Sequence, residues 1–191
     1  TGISKDVPTM PSHFDSLMIE ERINDIRFDV RDSQRLVKEI SLIRPDFVFH
    51  LAAQPIVRRS FIEPLETFET NIMGSVYILE ALRNLNKNCV AIMITSDKCY
   101  DNQEWTWGYR ETDRLGGKDP YSASKASAEL AIRAYISSYF HDEQSKICVG
   151  IGRAGNVIGG GDWAENRIVP DCIRSWKSGE TVQLRNPNAT R

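Results

Sequence analysis

The chain has 191 residues, 41% of them hydrophobic and 26% charged, with a formal net charge of -2. That length supports one domain with a substantial core, and the near-neutral charge leaves no basic footprint for nucleic acid. No apolar run approaches the ~20 residues that cross a bilayer, and the opening Thr1-Gly2-Ile3-Ser4-Lys5-Asp6 has no signal-peptide core, so no membrane partner is expected.

Residues Thr1 to Met18 hold Pro8, Pro11 and several polar side chains, and read as a loop with a short helical hint around Phe14 to Met18. Ile23 to Val30 predicts a short strand ending at Asp29. Asp32 or Ser33 can cap a helix with apolar positions Leu36, Val37, Ile40 and Ile43, and Pro45 stops it. Phe47 to Leu51 predicts a second strand, followed by Ala52-Ala53-Gln54-Pro55. A long helix is expected from about Pro64 to Leu85, with Phe68, Ile72, Val76, Leu79 and Leu82 at helical spacing. The apolar run Cys89 to Ile94 reads as a buried strand. Asp119-Pro120 predicts a helix start, because Asp caps well and Pro suits the first turn; that helix should run to about Phe140. Lys146 to Ile151 predicts a strand, Arg153 to Trp163 a glycine-rich loop, and Val169-Pro170 a short helix ending near Gly179. Val182 to Arg185 can form a last strand.

Strands alternating with helices predict an α/β fold with a doubly wound, parallel, Rossmann-like sheet. There is no internal repeat, low-complexity segment or linker. A complete dinucleotide-binding fold opens on a strand and a glycine-rich turn over the pyrophosphate. Nothing before Ile23 has that pattern, and Gly159-Gly160-Gly161 comes too late. The chain is therefore expected to lack the first βαβ portion, roughly 30 residues or more.

Cys89, Cys99, Cys148 and Cys172 are not paired at metal-ligand spacing, so no metal site is expected. They are expected to be reduced and mostly buried, as in a cytoplasmic protein. His50 ends a predicted strand, and a local hydrogen bond is its expected role.

The chemistry concentrates between Thr95 and Lys125. Tyr121 and Lys125 stand four apart, on one face of a helix. A phenol is a poor base near neutrality, but a neighbouring ammonium favours the phenolate. Tyr121 can then act as general base toward a hydroxyl. Thr95-Ser96-Asp97-Lys98 lies just past the carboxyl end of a strand, where open parallel sheets place their ligand sites.

With these stretches placed, the chain resembles the extended short-chain dehydrogenase/reductases that act on nucleotide sugars. The likeness is carried by Ile94-Thr95-Ser96-Asp97-Lys98-Cys99-Tyr100-Asp101-Asn102, by Glu104-Trp105-Thr106-Trp107-Gly108-Tyr109-Arg110-Glu111, and by Arg153-Ala154-Gly155-Asn156-Val157-Ile158-Gly159-Gly160-Gly161-Asp162-Trp163. The branch most resembled dehydrates CDP-glucose, in deoxysugar biosynthesis.

The resemblance implies bound NAD, reduced and reoxidised within one turnover. Tyr121 would take the proton of the sugar 4-hydroxyl, Lys125 would hold the ribose, and Ser96 would hydrogen-bond the same sugar oxygen. Asp97 matches the family's acid. Lys98 stands where related dehydratases carry a glutamate base, and serves either as base or as ion-pair partner. Asp29 and Val30 match an adenine-contacting pair, and Ala52, Ala53 and Gln54 the loop beneath the pyrophosphate and nicotinamide ribose. Asn71 matches a brace on the active-site strand. Asn156, Arg167 and Arg191 are the implied nucleotide-sugar contacts. Residues 1–152 would be the NAD-binding region and 153–191 the start of the nucleotide-sugar-binding region, most of that domain lying beyond. A homo-oligomer is implied for the full-length protein. The alternatives are a dehydratase for another nucleotide sugar, an epimerase, which would need Tyr121 and Lys125 but no acid/base pair for elimination, and a scaffold, which would need none of them.

Overall fold

The computed structural model describes residues 1–184 and 187–188, and these divide into two compact units. The first draws on Thr1–Asp29, Glu104–Thr106 and the stretch from Asn156 onward. Strand β1 (Gly2–Ser4) pairs in parallel with β2 (Asp25–Arg27), Gly2 opposite Asp25 and Ser4 opposite Arg27. The expected opening loop thus contains a strand. Three residues are too few to show a two-residue period, and pairing with β2 is what makes them a strand. Strand β2 is shorter than the expected span over 23–30.

Helix α1 (His13–Ser16) is capped by Ser12, whose Oγ accepts the Asp15 N–H at 2.9 Å. In the glycine-rich loop Gly161 has φ +78°, and an added Cβ would fall 2.6 Å from the His13 Cβ. No other residue fits that position without strain. Helix α7 (Ile168–Lys177) ends where expected, ahead of Gly179 with φ +69°. Residues 182–184 are not a strand, and Arg185 lies outside the described residues.

The second unit, Val30–Gln103 with Trp107–Gly155, holds the larger sheet. Asp32 caps α2 (Ser33–Ile43) by accepting the Arg35 N–H at 3.0 Å, and Arg44 closes it in the left-handed region ahead of Pro45. Then follow β3 (Phe47–His50) and an unpredicted short helix, α3 (Val57–Ile62). The predicted long helix is present as α4 (Pro64–Phe68), a π-helical turn over Glu69–Met73, and α5 (Gly74–Arg83). Strand β4 (Cys89–Ile94) precedes α6 (Pro120–Tyr135), which continues through a π turn to Phe140, and β5 (Ile147–Gly152).

The sheet order is β3-β4-β5, all parallel, with Phe47 opposite Val90 and Cys89 opposite Ile147. Along β4 the side chains of Cys89, Ala91 and Met93 are buried while Val90 is exposed, so this strand buries one face fully rather than both. Leu36, Leu79, Leu82, Met93 and Ile132 make the centre of the core, each at most 1% exposed. They come from α2, α5, β4 and α6, and α5 packs against both α2 and α6. Truncating any one to Ala costs about 2–5 kcal/mol.

All four cysteines are free thiols, but only Cys89 and Cys99 are buried; Cys148 is exposed and Cys172 half-buried. The expectation of mostly buried thiols holds for two. Cys148 lies on β5 as predicted, but on its less covered face.

Candidate active site

The backbone after β4 keeps its sheet partner for a few residues. The Thr95 N–H donates to Gly152 O and the Asp97 N–H to Ala154 O, each at 2.9 Å. The chain then tightens into a 3-10 turn over Asp97–Cys99. Ser96 builds that turn: its Oγ accepts the Lys98 N–H at 3.2 Å and donates to Asp97 Oδ1 at 3.0 Å. In an extended strand, neighbouring side chains diverge. Here the turn brings Lys98 Nζ to 3.5 Å from Asp97 Oδ1, with both side chains part-buried.

Helix α6 supplies the second set and packs against this turn. Its start is fixed as the sequence predicts. Asp119 accepts the Ser122 N–H at 2.9 Å and the Ser122 hydroxyl at 2.6 Å, and Pro120 occupies the first turn. Gly117 lies so close to that turn that an added Cβ would sit 2.3 Å from the Ala123 nitrogen. Tyr121 is 7% exposed and Lys125 8%. Burial lowers the Lys125 amine to about 8. At the end of β3, His50 is pushed down to about 4, first by burial and then by the charge of Lys125. It stays neutral near pH 7. Its Nε2 lies 3.1 Å from the Ser75 hydroxyl, which donates to Asn71 O at 2.8 Å. The local hydrogen-bonding role expected of His50 is the one found.

Asn71 ties the turn after β3 to α6. Its Oδ1 accepts the Gln54 N–H at 2.8 Å, and its Nδ2 donates to Gln54 O at 3.2 Å and to Ser124 Oγ at 2.8 Å. Ser124 Oγ in turn donates to Tyr121 O at 2.7 Å. Gln54 is buried and also donates to Thr67 Oγ1 at 2.9 Å. The brace implied for Asn71 was on the active-site strand; the bonds found run instead to Gln54 and to Ser124 on α6. Asn71 sits within the π turn; such bulges recur at functional sites.

The remaining predicted contacts fall as follows. Val30, in the second unit, lies where a Cβ on Gly74 would come within 2.9 Å of its Cγ1. Ala52 is exposed and Ala53 half-buried past the carboxyl end of β3. In the first unit Asp29 pairs with Lys5 at 3.7 Å, Asn156 is exposed, and Arg167 pairs with Asp162 at 3.5 Å. Arg191 lies outside the described residues. Among the described residues no cluster of His, Cys, Asp or Glu is placed to hold a metal, and no helix is long and apolar enough to cross a membrane.

One group went unread in the sequence. Glu129, fully buried, accepts from Arg153 Nε at 2.9 and 3.1 Å and from Arg153 Nη2. It also accepts from Arg133 at 2.8 Å and from the Thr95 hydroxyl at 3.1 Å. Burial pushes the Glu129 carboxyl up, but these donors outweigh it and hold it below its usual range. Burial and the Glu129 charge push the Cys99 thiol up to about 12. The available signal was spacing, since Glu129 follows Lys125 by four residues on the same helix.

The family model for GDP-mannose 4,6-dehydratase matches residues 9–184. The chain belongs to this family. CDP-glucose 4,6-dehydratase of Salmonella typhimurium (strain LT2) is 45% identical over 193 residues, covering 100% of this chain and 54% of that protein. dTDP-glucose 4,6-dehydratase 1 of Escherichia coli (strain K12) is 34% identical over 128 residues, covering 58% of this chain and 36% of that one. This member of the GDP-mannose 4,6-dehydratase family therefore spans about half the length of the first relative. The fold also matches DesIV, a dTDP-glucose 4,6-dehydratase from Streptomyces venezuelae solved with NAD bound. The TM-score is 0.79 at 24% identity, over 94% of this chain and 53% of that one. The expected Rossmann-like α/β fold with parallel strands is the fold observed.

Proposed function

We propose that the full-length protein dehydrates CDP-glucose to the 4-keto-6-deoxy sugar, with NAD as its cofactor. The observation that carries this reading is the 3-10 turn that sets Asp97 and Lys98 side by side against the helix of Tyr121 and Lys125. The higher identity to a CDP-glucose enzyme than to a dTDP-glucose enzyme supports the choice of substrate. An epimerase needs no second acid/base pair.

The residues suit a dinucleotide. Ala52 and Ala53 offer backbone without bulk at the end of β3, and Lys125 is a buried amine beside Tyr121. We assign Asp29 and Val30 to the adenine end, Ala52, Ala53 and Gln54 to the pyrophosphate and ribose, and Asn156, Arg167 and Arg191 to the sugar nucleotide. Residues 1–152 then form the NAD-binding region and 153–191 the start of the sugar-nucleotide region. A dinucleotide held there by these residues would supply reversible hydride transfer between carbon 4 and carbon 6 of the sugar.

Tyr121 removes the proton of the 4-hydroxyl, favoured by the Lys125 ammonium, and Ser96 holds the same oxygen. The resulting 4-ketone acidifies the proton on carbon 5. Lys98 takes that proton while Asp97 gives one to the departing 6-hydroxyl. These roles need a neutral amine and a protonated carboxyl. One proton crossing the 3.5 Å contact from Lys98 to Asp97 produces both. Elimination then restores the ion pair; when hydride returns to carbon 6, Lys98 gives carbon 5 a proton, and the proton that Tyr121 took from the 4-hydroxyl replaces it through solvent, so protons balance over the cycle.

On this reading the full-length protein would work in the cytoplasm, in deoxysugar synthesis for lipopolysaccharide O-antigen, and as a homo-oligomer. The test is incubation of the full-length protein with NAD and either CDP-glucose or dTDP-glucose. A 4-keto-6-deoxy product from CDP-glucose is expected. Product from dTDP-glucose alone would overturn the substrate, and a 4-epimer would overturn the reaction.

A further inference from the structure

We infer that the Glu129–Arg153 ion pair, with the Tyr100 ring, is a positioning device that holds the Asp97–Lys98 turn against the helix of Tyr121 and Lys125. The inference rests on the reading of that turn as the elimination pair. Its basis is where the partners attach. Glu129 lies on α6, one helical turn past Lys125, and bonds the Thr95 hydroxyl at 3.1 Å, next to Ser96. Arg153 directly follows β5 and precedes Ala154, whose carbonyl takes the Asp97 N–H at 2.9 Å. The Arg153 guanidinium lies 4.5 Å above the Tyr100 ring, on the far side of the turn. The buried pair therefore grips the turn before Ser96 through Thr95 and after Cys99 through Tyr100, and Arg153 adjoins the Ala154 carbonyl that holds Asp97.

The burial of that pair argues for a geometric role. The side chains are 9% and 1% exposed for Arg153 and Glu129. Taking both charges out of water costs several kcal/mol each, so a buried pair is weak evidence for stability, and an apolar pair of similar volume often serves as well. Arg153 Nη1 has no hydrogen-bond partner among the described residues, and the Tyr100 face lies against the same guanidinium. Tyr100 is itself fixed, stacked on Tyr109 at 4.8 Å between ring centres. The Tyr109 hydroxyl donates to Asn102 at 2.9 Å and accepts the Gln103 N–H at 2.7 Å. What an apolar pair would lose is the directional link from α6 to both ends of the turn.

The test uses full-length Glu129→Gln and Tyr100→Leu. Tyr100→Leu leaves the ion pair in place and serves if Glu129→Gln fails to fold. Amide hydrogen exchange at Asp97 and Cys99, without substrate, should quicken about tenfold in either variant, as expected when a charge-assisted contact is lost locally. In a single turnover with CDP-glucose, NADH should form at close to the wild-type rate while elimination slows about 10²-fold, the effect of a small misplacement of reacting groups. Unchanged exchange, or equal slowing of both steps, would overturn the positioning role. A wild-type protein that forms no NADH from CDP-glucose strikes the functional reading instead, and the exchange result still decides this one.

Discussion

The two halves of the candidate site are held in different ways. Tyr121 and Lys125 are 7% and 8% exposed on a capped helix, and their spacing is set by helical backbone alone. Asp97 and Lys98 have side chains 32% and 18% exposed on a single 3-10 turn. That turn is made by the Ser96 hydroxyl and by partners on β5 and α6. Under the proposed function, oxidation falls to the rigid half together with Ser96, and elimination to the half whose geometry is borrowed. A change that leaves one half intact can therefore disable the other.

The largest effect expected on the rigid half is from Tyr121→Phe. Loss of a general base costs ~10²–10⁴ in rate, and here it should abolish NADH formation and product together. Retained turnover in a steady-state assay would remove Tyr121 from the mechanism. Asn71→Ala should come next. It strands the buried Gln54 backbone groups, at a cost of about 1–3 kcal/mol for each group left unpaired. Thermal unfolding should show the loss, and both chemical steps should slow because α6 is released from Gln54. If only elimination slowed, the two halves would not be divided as described.

The smallest effect is a pH dependence of stability. His50 is about 4 in the folded protein against 6.5 unfolded. Between those values the unfolded chain binds more protons, so stability is full above pH 6.5 and falls as pH drops through 4. The total is about 3 kcal/mol. Lys125, at about 8 against 10.5, gives a second window of the same sign, with stability rising from pH 8 to 10.5. Denaturant titrations across pH should show the acid slope, and His50→Asn should flatten it without touching the alkaline one.

The rigid half was legible in the sequence because it is local. Asp119-Pro120, Tyr121 and Lys125 are a cap and a helix face, and both are short-range patterns. The parallel strands were legible from apolar runs, as β4 shows. Strand β1 was not, since three residues carry no period, and the π turn around Asn71 was not, since no residue type announces it. Glu129 was missed for a different reason. A buried acid on a helix looks like a surface charge until its partner is known, and Arg153 lies just past another element, 24 residues on. The spacing from Lys125 puts Glu129 on the helix face of Tyr121 and Lys125, but it does not name the partner.

The most direct measurement follows absorbance at the NADH band in a single turnover, with the full-length protein, CDP-glucose, and either Asp97→Asn or Lys98→Met. NADH should form at close to the wild-type rate and then persist, because water is no longer eliminated and the hydride has no acceptor at carbon 6. Little 4-keto-6-deoxy sugar should be released. Elimination at the wild-type rate in Lys98→Met would make Lys98 an ion-pair residue only, and failure of either variant to form NADH would contradict the division between the two halves.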